Sequence, residues 1–238
     1  MTAEIGIAQR EGQHLLEPEA MGLVKAAGLP VIEHRIARTA EEAISAAAYL
    51  GYPVALKVVS RDIVHKSEAD GVQLELRDAV AVDAAYRRVM EGAARHRATA
   101  RVEGVLVCRM ARPGVEVILG LTRDPQFGHA LMFGLGGIFV ELYRDVAFRL
   151  VPISERDADE MIREIKGFPV LQGVRGRPAR DIAAVVRMLL TLSALAESRP
   201  EIDALDLNPV ILYEQGCVVV DAKAFLSGGG DISTAPTS

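Results

Sequence analysis

The chain has 238 residues, 50% hydrophobic and 25% charged, enough to bury a core without staples but short of two comfortable domains. Two cysteines, Cys108 and Cys217, make no disulfide framework; a formal charge of −5, no Trp and 5% aromatic residues argue against a nucleic-acid surface. Every apolar stretch is interrupted before the ~18 residues of a bilayer span, and Met1–Gly12 has no basic-then-apolar leader, so a cytoplasmic protein without membrane attachment is expected.

The first residues lack periodicity and are expected to form a tail over 1–14. From Glu17 a helix is signposted by Pro18 at an early position, apolar residues at helical spacing and a closing Gly28. Val31–Ile36 reads as a strand. Thr39 with Glu42 has capping-box spacing and opens a helix to Leu50, ended by Gly51. Val54–Val59 reads as a buried strand with one charge, Lys57, and Val72–Leu76 as another. Asp78 caps a helix to about Arg95. Strand and helix in alternation make an α/β module.

The second half is richer in strands. Val105–Met110 and Val115–Thr122 flank Pro113-Gly114, a hairpin signal. Ala130–Phe133 and Val146–Val151 add strands around a glycine-rich stretch. Ser154 and Asp157 cap a helix to about Ile165, a Gly/Pro-rich loop follows, and a strong helix runs from Asp181 to Ser198. Ala204–Asn208, Val210–Tyr213 and Val218–Ala222 close the ordered chain. Residues 227–238, rich in Gly, Ser, Thr and Pro, are expected to be disordered. The expected architecture is α+β with two α/β lobes, 15–104 and 105–226.

Several residues stand out chemically. Lys57 within VALKVV is either an edge lysine reaching water or a cation held for an anionic ligand. The loop Ser60–Gly71 exceeds what a hairpin needs and carries Arg61, His65, Lys66 and Ser67, a set suited to phosphate. His65 is either a solvated histidine or a nucleophile able to carry a phosphoryl group. Gly134-Leu135-Gly136-Gly137 could cradle phosphate but fails the dinucleotide fingerprint; Glu141 beyond it could equally be a solvated charge. Asn208, before Pro209, and Asp221 fall on one face if Tyr213 pairs with Val218, and their oxygens then suit Mg²⁺. The competing reading makes Asn208-Pro209 a turn and Asp221 a cap.

Together, GYPVALKVVS, IVHKSEADGV, EVILGLTRDPQFGHALMFGLGGIFVE and DALDLNPVIL…VVVDAK resemble the ATP-grasp β subunit of ADP-forming acyl-CoA (acetyl-CoA) synthetases, over about Leu15–Phe225. Succinyl-CoA synthetase β subunits are more distant relatives. The resemblance implies an ATP-grasp fold whose lobes clasp a nucleotide, ATP/ADP with Mg²⁺ as cofactors, and a CoA-binding α subunit as partner in an α2β2 assembly. It implies that Lys57 contacts ATP phosphates and that His65 relays a phosphoryl group to a histidine on the partner. Asp206 receives the phosphohistidine loop, while Asn208 and Asp221 hold Mg²⁺. The backbone of Val107, Cys108, Arg109 and Met110 forms an adenine-binding hinge, and Glu116 lies near ribose or phosphates. One departure is Asp70-Gly71 where the family has a glycine pair, a carboxylate that would stiffen the loop or repel phosphate. Two rival functions are a self-sufficient ATP-grasp carboxylate–amine ligase, which needs no histidine relay, and a non-catalytic nucleotide-binding regulatory subunit. Nothing in the sequence reads the acid substrate.

Overall fold

The structure, a computed structural model, describes residues 13–63, 66–137, 145–174, 176 and 178–227. It divides into two compact units: Leu16–Lys25 with Pro30–Pro113, and Met1–Leu15, Ala26–Leu29 and Gly114–Ser238. Each is built on its own antiparallel sheet, of four and seven strands respectively. The fold is thus α+β, as the alternating patterns predict.

After a short strand β1 (Gln13–His14), the four-stranded unit takes up helix α1 (Glu17–Ala26), β2 (His34–Ala37), α2 (Ala40–Leu50), β3 (Val54–Ser60), β4 (Val72–Leu76), α3 (Ala79–His96) and β5 (Val102–Arg109). The strand order is β2-β5-β3-β4, which places β3 inside the sheet. Both caps read from the sequence form. Thr39 accepts from the Glu42 N–H at 3.2 Å, and Asp78 accepts from the Ala81 N–H at 2.8 Å. Ala43 and Ala47 of α2 and Val82 and Val89 of α3 share one core with Leu56 and Val58 of β3 and Val105 of β5. Strand alternation therefore turns Lys57 to the opposite face.

The seven-stranded unit comprises β6 (Val115–Asp124), β7 (Gly128–Leu135), β8 (Val146–Leu150), α4 (Glu155–Glu164), α5 (Phe168–Gln172), α6 (Ile182–Ser198), β9 (Ile202–Leu212), β10 (Cys217–Val219) and β11 (Ala222–Leu226), with β1 at one edge. The order is β1-β11-β9-β6-β7-β8, with β10 also paired to β9. Helix α4 packs on α6 and β8, and α6 also meets β6 and β7. Ser154 and Asp157 form a full capping box on α4.

Four details differ from the sequence expectations. The predicted tail contains β1, because Gln13 and His14 pair with Leu226 and Phe225. Val105–Met110 and Val115–Thr122 do not form a hairpin: β5 lies between β2 and β3 in the four-stranded sheet, while β6 pairs with β7 and β9. Gly114 serves close packing instead of a tight turn. A Cβ there would lie 2.5 Å from Ile211 Cγ2 and 2.8 Å from the Leu212 carbonyl. The two strands expected around Pro209 are one, β9. Proline lacks an N–H, but the ladder to β6 shifts register between Val117 and Leu119 at that point, and on the other side Pro209 offers its carbonyl, to the Val220 N–H at 3.0 Å. Finally, the Gly/Pro-rich loop contains the short helix α5, whose approach is fixed by Asp145 accepting from the Lys166 and Gly167 N–H groups at 2.7 and 2.6 Å.

Candidate functional site

In the four-stranded unit the central feature is Lys57. It is 6% exposed in a strand buried along its whole length, so the reading as an edge lysine reaching water does not hold. Its ammonium donates to Glu17 Oε1 at 2.7 Å, and Lys66 donates to the other oxygen, Oε2. Glu17 is itself buried. Two residues on, Glu19 accepts from Arg61 at 2.8 and 3.1 Å and caps α1 by accepting from the Leu16 N–H at 2.7 Å. Sequence reasoning missed both glutamates. Their only signal is the acidic Glu17-Pro18-Glu19 start of α1, which reads simply as a helix N-terminus.

His65 lies outside the described residues, as does Glu141. The far end of the same loop is described. Asp70 has φ 51°, a left-handed conformation that glycine adopts most easily, and its carboxylate pairs with Arg95 of α3 at 3.0 Å. The loop meets α3 closely: a Cβ on Gly92 would lie 2.4 Å from the Ala69 carbonyl and 2.9 Å from Asp70 Cβ.

In the seven-stranded unit β9 carries Asp206 and Asn208, β11 carries Lys223, and Asp221 lies just before β11. Lys223 is the ladder partner of Asp206. One rung further, the Asn208 N–H donates to the Asp221 carbonyl at 3.2 Å. The pairing of β10 is Cys217 with Leu212 and Val218 with Ile211, two residues away from the Tyr213–Val218 register expected. A two-residue shift preserves the face, and it brings Asn208 directly opposite Asp221. Asn208 and Pro209 lie within β9, so the turn reading does not hold. Asp206 is 8% exposed and faces Gly120 of β6 on its other side.

An amide oxygen and a carboxylate are hard oxygen donors of the kind a small divalent cation takes. Among the described residues no group of three or more His, Cys, Asp or Glu side chains could hold a metal, so an ion here would complete its shell with other oxygens. That donor set fits Mg²⁺, which keeps waters and takes substrate phosphates.

The remaining expected residues are placed as follows. Val107 and Cys108 lie inside the four-stranded sheet, each paired to both β2 and β3. The Arg109 N–H donates to the Glu33 carbonyl at 3.0 Å, and the Met110 N–H to the Pro53 carbonyl at 3.1 Å. Exposed Glu116 starts β6 against the glycine-rich turn. Its carbonyl accepts from the Gly136 N–H at 2.8 Å, and a Cβ on Gly136 would come within 2.9 Å of Glu116 Cβ. The glycines therefore make room for Glu116.

Comparison with known proteins identifies the domain. The ATP-grasp domain family covers residues 6–226. The chain belongs to that family. Within the ATP-grasp family it is similar to the β subunit of ADP-forming acetate–CoA ligase II of Pyrococcus furiosus, with 48% identity over 217 residues, 90% of this chain and 92% of the relative. By that likeness it groups with the β subunits of ADP-forming acetate–CoA ligases. Acetyl-coenzyme A synthetase 1 of Ca. Korarchaeum cryptofilum, solved with coenzyme A and Ca-AMPCP, has a TM-score of 0.88 and 47% identity, covering 90% of this chain and 93% of that one. Another structure of the Korarchaeum enzyme holds coenzyme A and Mg-AMPPCP with its phosphohistidine segment pointing towards the nucleotide-binding site. Its TM-score is 0.78 and its identity 45%, covering 90% and 92% of the two chains. Among the described residues of this ATP-grasp chain, no helix is long and apolar enough to cross a membrane.

Proposed function

We propose that the chain is the nucleotide-binding β subunit of a cytoplasmic ADP-forming acyl-CoA synthetase. With a CoA-binding α subunit, in an α2β2 assembly, it converts acid, CoA and ATP into acyl-CoA, ADP and phosphate. The observation that carries this reading is near full-length likeness to the Pyrococcus β subunit, accompanied by the polar groups that such chemistry needs.

In this proposal Lys57 contacts the ATP phosphates. Asn208 and Asp221 hold Mg²⁺, which supplies neutralising charge to the phosphates. Phosphoryl transfer relies mainly on positioning and charge neutralisation, and a lysine on a rigid interior strand supplies both. Glu116 lies near the ribose or phosphates. Since the Arg109 and Met110 N–H groups are donated elsewhere, the Val107–Met110 segment meets adenine through carbonyls. His65 takes the γ-phosphoryl group on a ring nitrogen as the bond to ADP breaks, then passes it to the partner's histidine. Asp206 orients the incoming phosphohistidine segment, with Lys223 on the same rung balancing its charge.

The test uses γ-labelled ATP, Mg²⁺ and a CoA-binding α subunit. Acid-labile, base-stable label and acetate-dependent ADP release are expected with both chains together. Label that forms equally well in His65→Ala removes the relay role, and turnover by the chain alone overturns the subunit reading.

A further inference from the structure

The two lysines bound to Glu17 come from distant parts of the chain, Lys57 from β3 and Lys66 from the loop after it, 40 and 49 residues away. Their side chains are 7% and 13% exposed, and that of Glu17 is 2% exposed. Nothing about the strand itself asks for a charge. Every other position of β3 is also buried, and its run of aliphatic residues shows what burial alone selects.

A buried ion cluster is a poor way to gain stability, because desolvation of the charges consumes most of their attraction. Aliphatic side chains of similar volume would serve packing as well or better. A cluster kept at that cost has a use for its cations. The arrangement brings two ammonium groups to the two oxygens of one carboxylate. An ammonium has three donors and can serve a carboxylate and a phosphate oxygen at once. A carboxylate with two oxygens, fixed at the first turn of a helix, sets the separation between the two ammonium groups it binds.

We propose that Glu17 is a positioning residue for the nucleotide phosphates: its two carboxylate oxygens fix the ammonium groups of Lys57 and Lys66 side by side, so that one polyphosphate meets both. Glu17 does not touch the nucleotide. It removes the rotamer freedom that long lysine side chains would otherwise lose on binding. The inference rests on the reading of Lys57 as a phosphate contact and adds Lys66 and Glu17 to it.

The experiment compares MgATP with adenosine, which has no phosphates, by calorimetric titration of the full chain, with thermal unfolding recorded for each variant. Glu17→Gln keeps the shape and removes the charge. It is expected to weaken MgATP binding about tenfold or more, the size of a charge-assisted hydrogen bond, while changing adenosine binding less than about twofold. In a Lys57→Met/Lys66→Met background the same substitution is expected to have no effect on MgATP. Glu17→Asp retains the charge on a shorter arm, so it is expected to lose less MgATP affinity with the same sparing of adenosine. If Glu17→Gln does not fold, Glu17→Asp carries the comparison. Equal loss for both ligands, an undiminished effect in the lysine-free background, or unchanged MgATP affinity overturns the proposal. If Lys57→Met itself binds MgATP normally, the phosphate reading of Lys57 fails first. If Lys57→Met weakens binding and Glu17→Gln does not, only the role of Glu17 fails.

Discussion

Asn208 and Asp221 share a single rung of the seven-stranded sheet, joined by the Asn208 N–H donated to the Asp221 carbonyl at 3.2 Å. Backbone pairing therefore holds the two residues opposite one another, with their Cβ atoms at cross-strand spacing. Asp221→Asn preserves shape and removes the one charge of the pair. MgATP affinity should fall about tenfold, in line with the loss of a charged metal ligand, while ATP affinity in excess chelator stays at its starting value. Titrations with and without Mg²⁺ give both numbers. An equal loss in chelator would assign Asp221 a role other than metal binding.

Gly92 is the point where the loop after β3 rests on α3. Alanine normally favours a helix over glycine by about 1 kcal/mol. Here its Cβ would lie 2.4 Å from the Ala69 carbonyl, and overpacking of that kind costs about 1–3 kcal/mol. Gly92→Ala should thus lower stability by about 1 kcal/mol despite its better helix propensity. Urea unfolding decides the sign, and a stabilised variant would mean the loop simply moves away.

Asp181 joins the start of α6 to the turn after β9. Its carboxylate accepts from the Gly216 N–H at 2.8 Å and from the Ala184 N–H at 2.9 Å. The Gly216 bond is the main cause that holds its carboxyl below the usual range, against desolvation, with help from Ala184 and Arg187. A depressed folded pKa gives stability that is present above the unfolded value of about 3.9 and is lost as pH falls through the folded value. Asp181→Asn should cost about 1–2 kcal/mol at pH 7, and the gap to the parent should close in acid below about pH 4. Denaturation midpoints at pH 7 and pH 3 test this.

The thiols should be quiet in the folded chain. Burial pushes the Cys217 thiol up to about 11, with Asp181 adding to the rise and Arg187 opposing it, and Cys108 is 1% exposed. At pH 8 Cys217 should react with Ellman's reagent about a hundredfold more slowly than in denaturant, following its lower thiolate fraction. Rapid labelling of the native chain would contradict the burial of both thiols.

How far the sequence could be read depended on the range of each interaction. Caps act over three residues, so Thr39, Asp78 and Ser154 announce their helices directly. The chain from residue 204 to 213 was harder. A proline argues locally against a continuous strand, and the irregular pairing with β6 that admits Pro209 is created by residues some ninety positions earlier, around Ile118. Pro113-Gly114 misled in the opposite way, since a turn signal and a close-packing glycine use the same letters. In the site, Lys57, Asn208 and Asp221 stood out because their types clash with their surroundings or cluster near a strand end. Glu17 could not stand out. A glutamate in the first turn of a helix is ordinary until the fold brings two lysines to it.

The short ladder between β1 and β11 has a use in re-engineering the chain. Gln13 and Leu226 are direct partners, so a brief linker can splice the two positions together. New ends could then be cut at the β6–β7 tip, where Phe127 is 66% exposed and Asp124 holds the turn through the Gln126 and Phe127 N–H groups. Such a permuted chain would keep the Asn208–Asp221 rung in the middle of an uncut sheet. Its new ends would emerge at the same end of the sheet as the splice, since Thr122 pairs with Ala204 and Leu226 with Ile202, and would give a second place from which to tether another subunit.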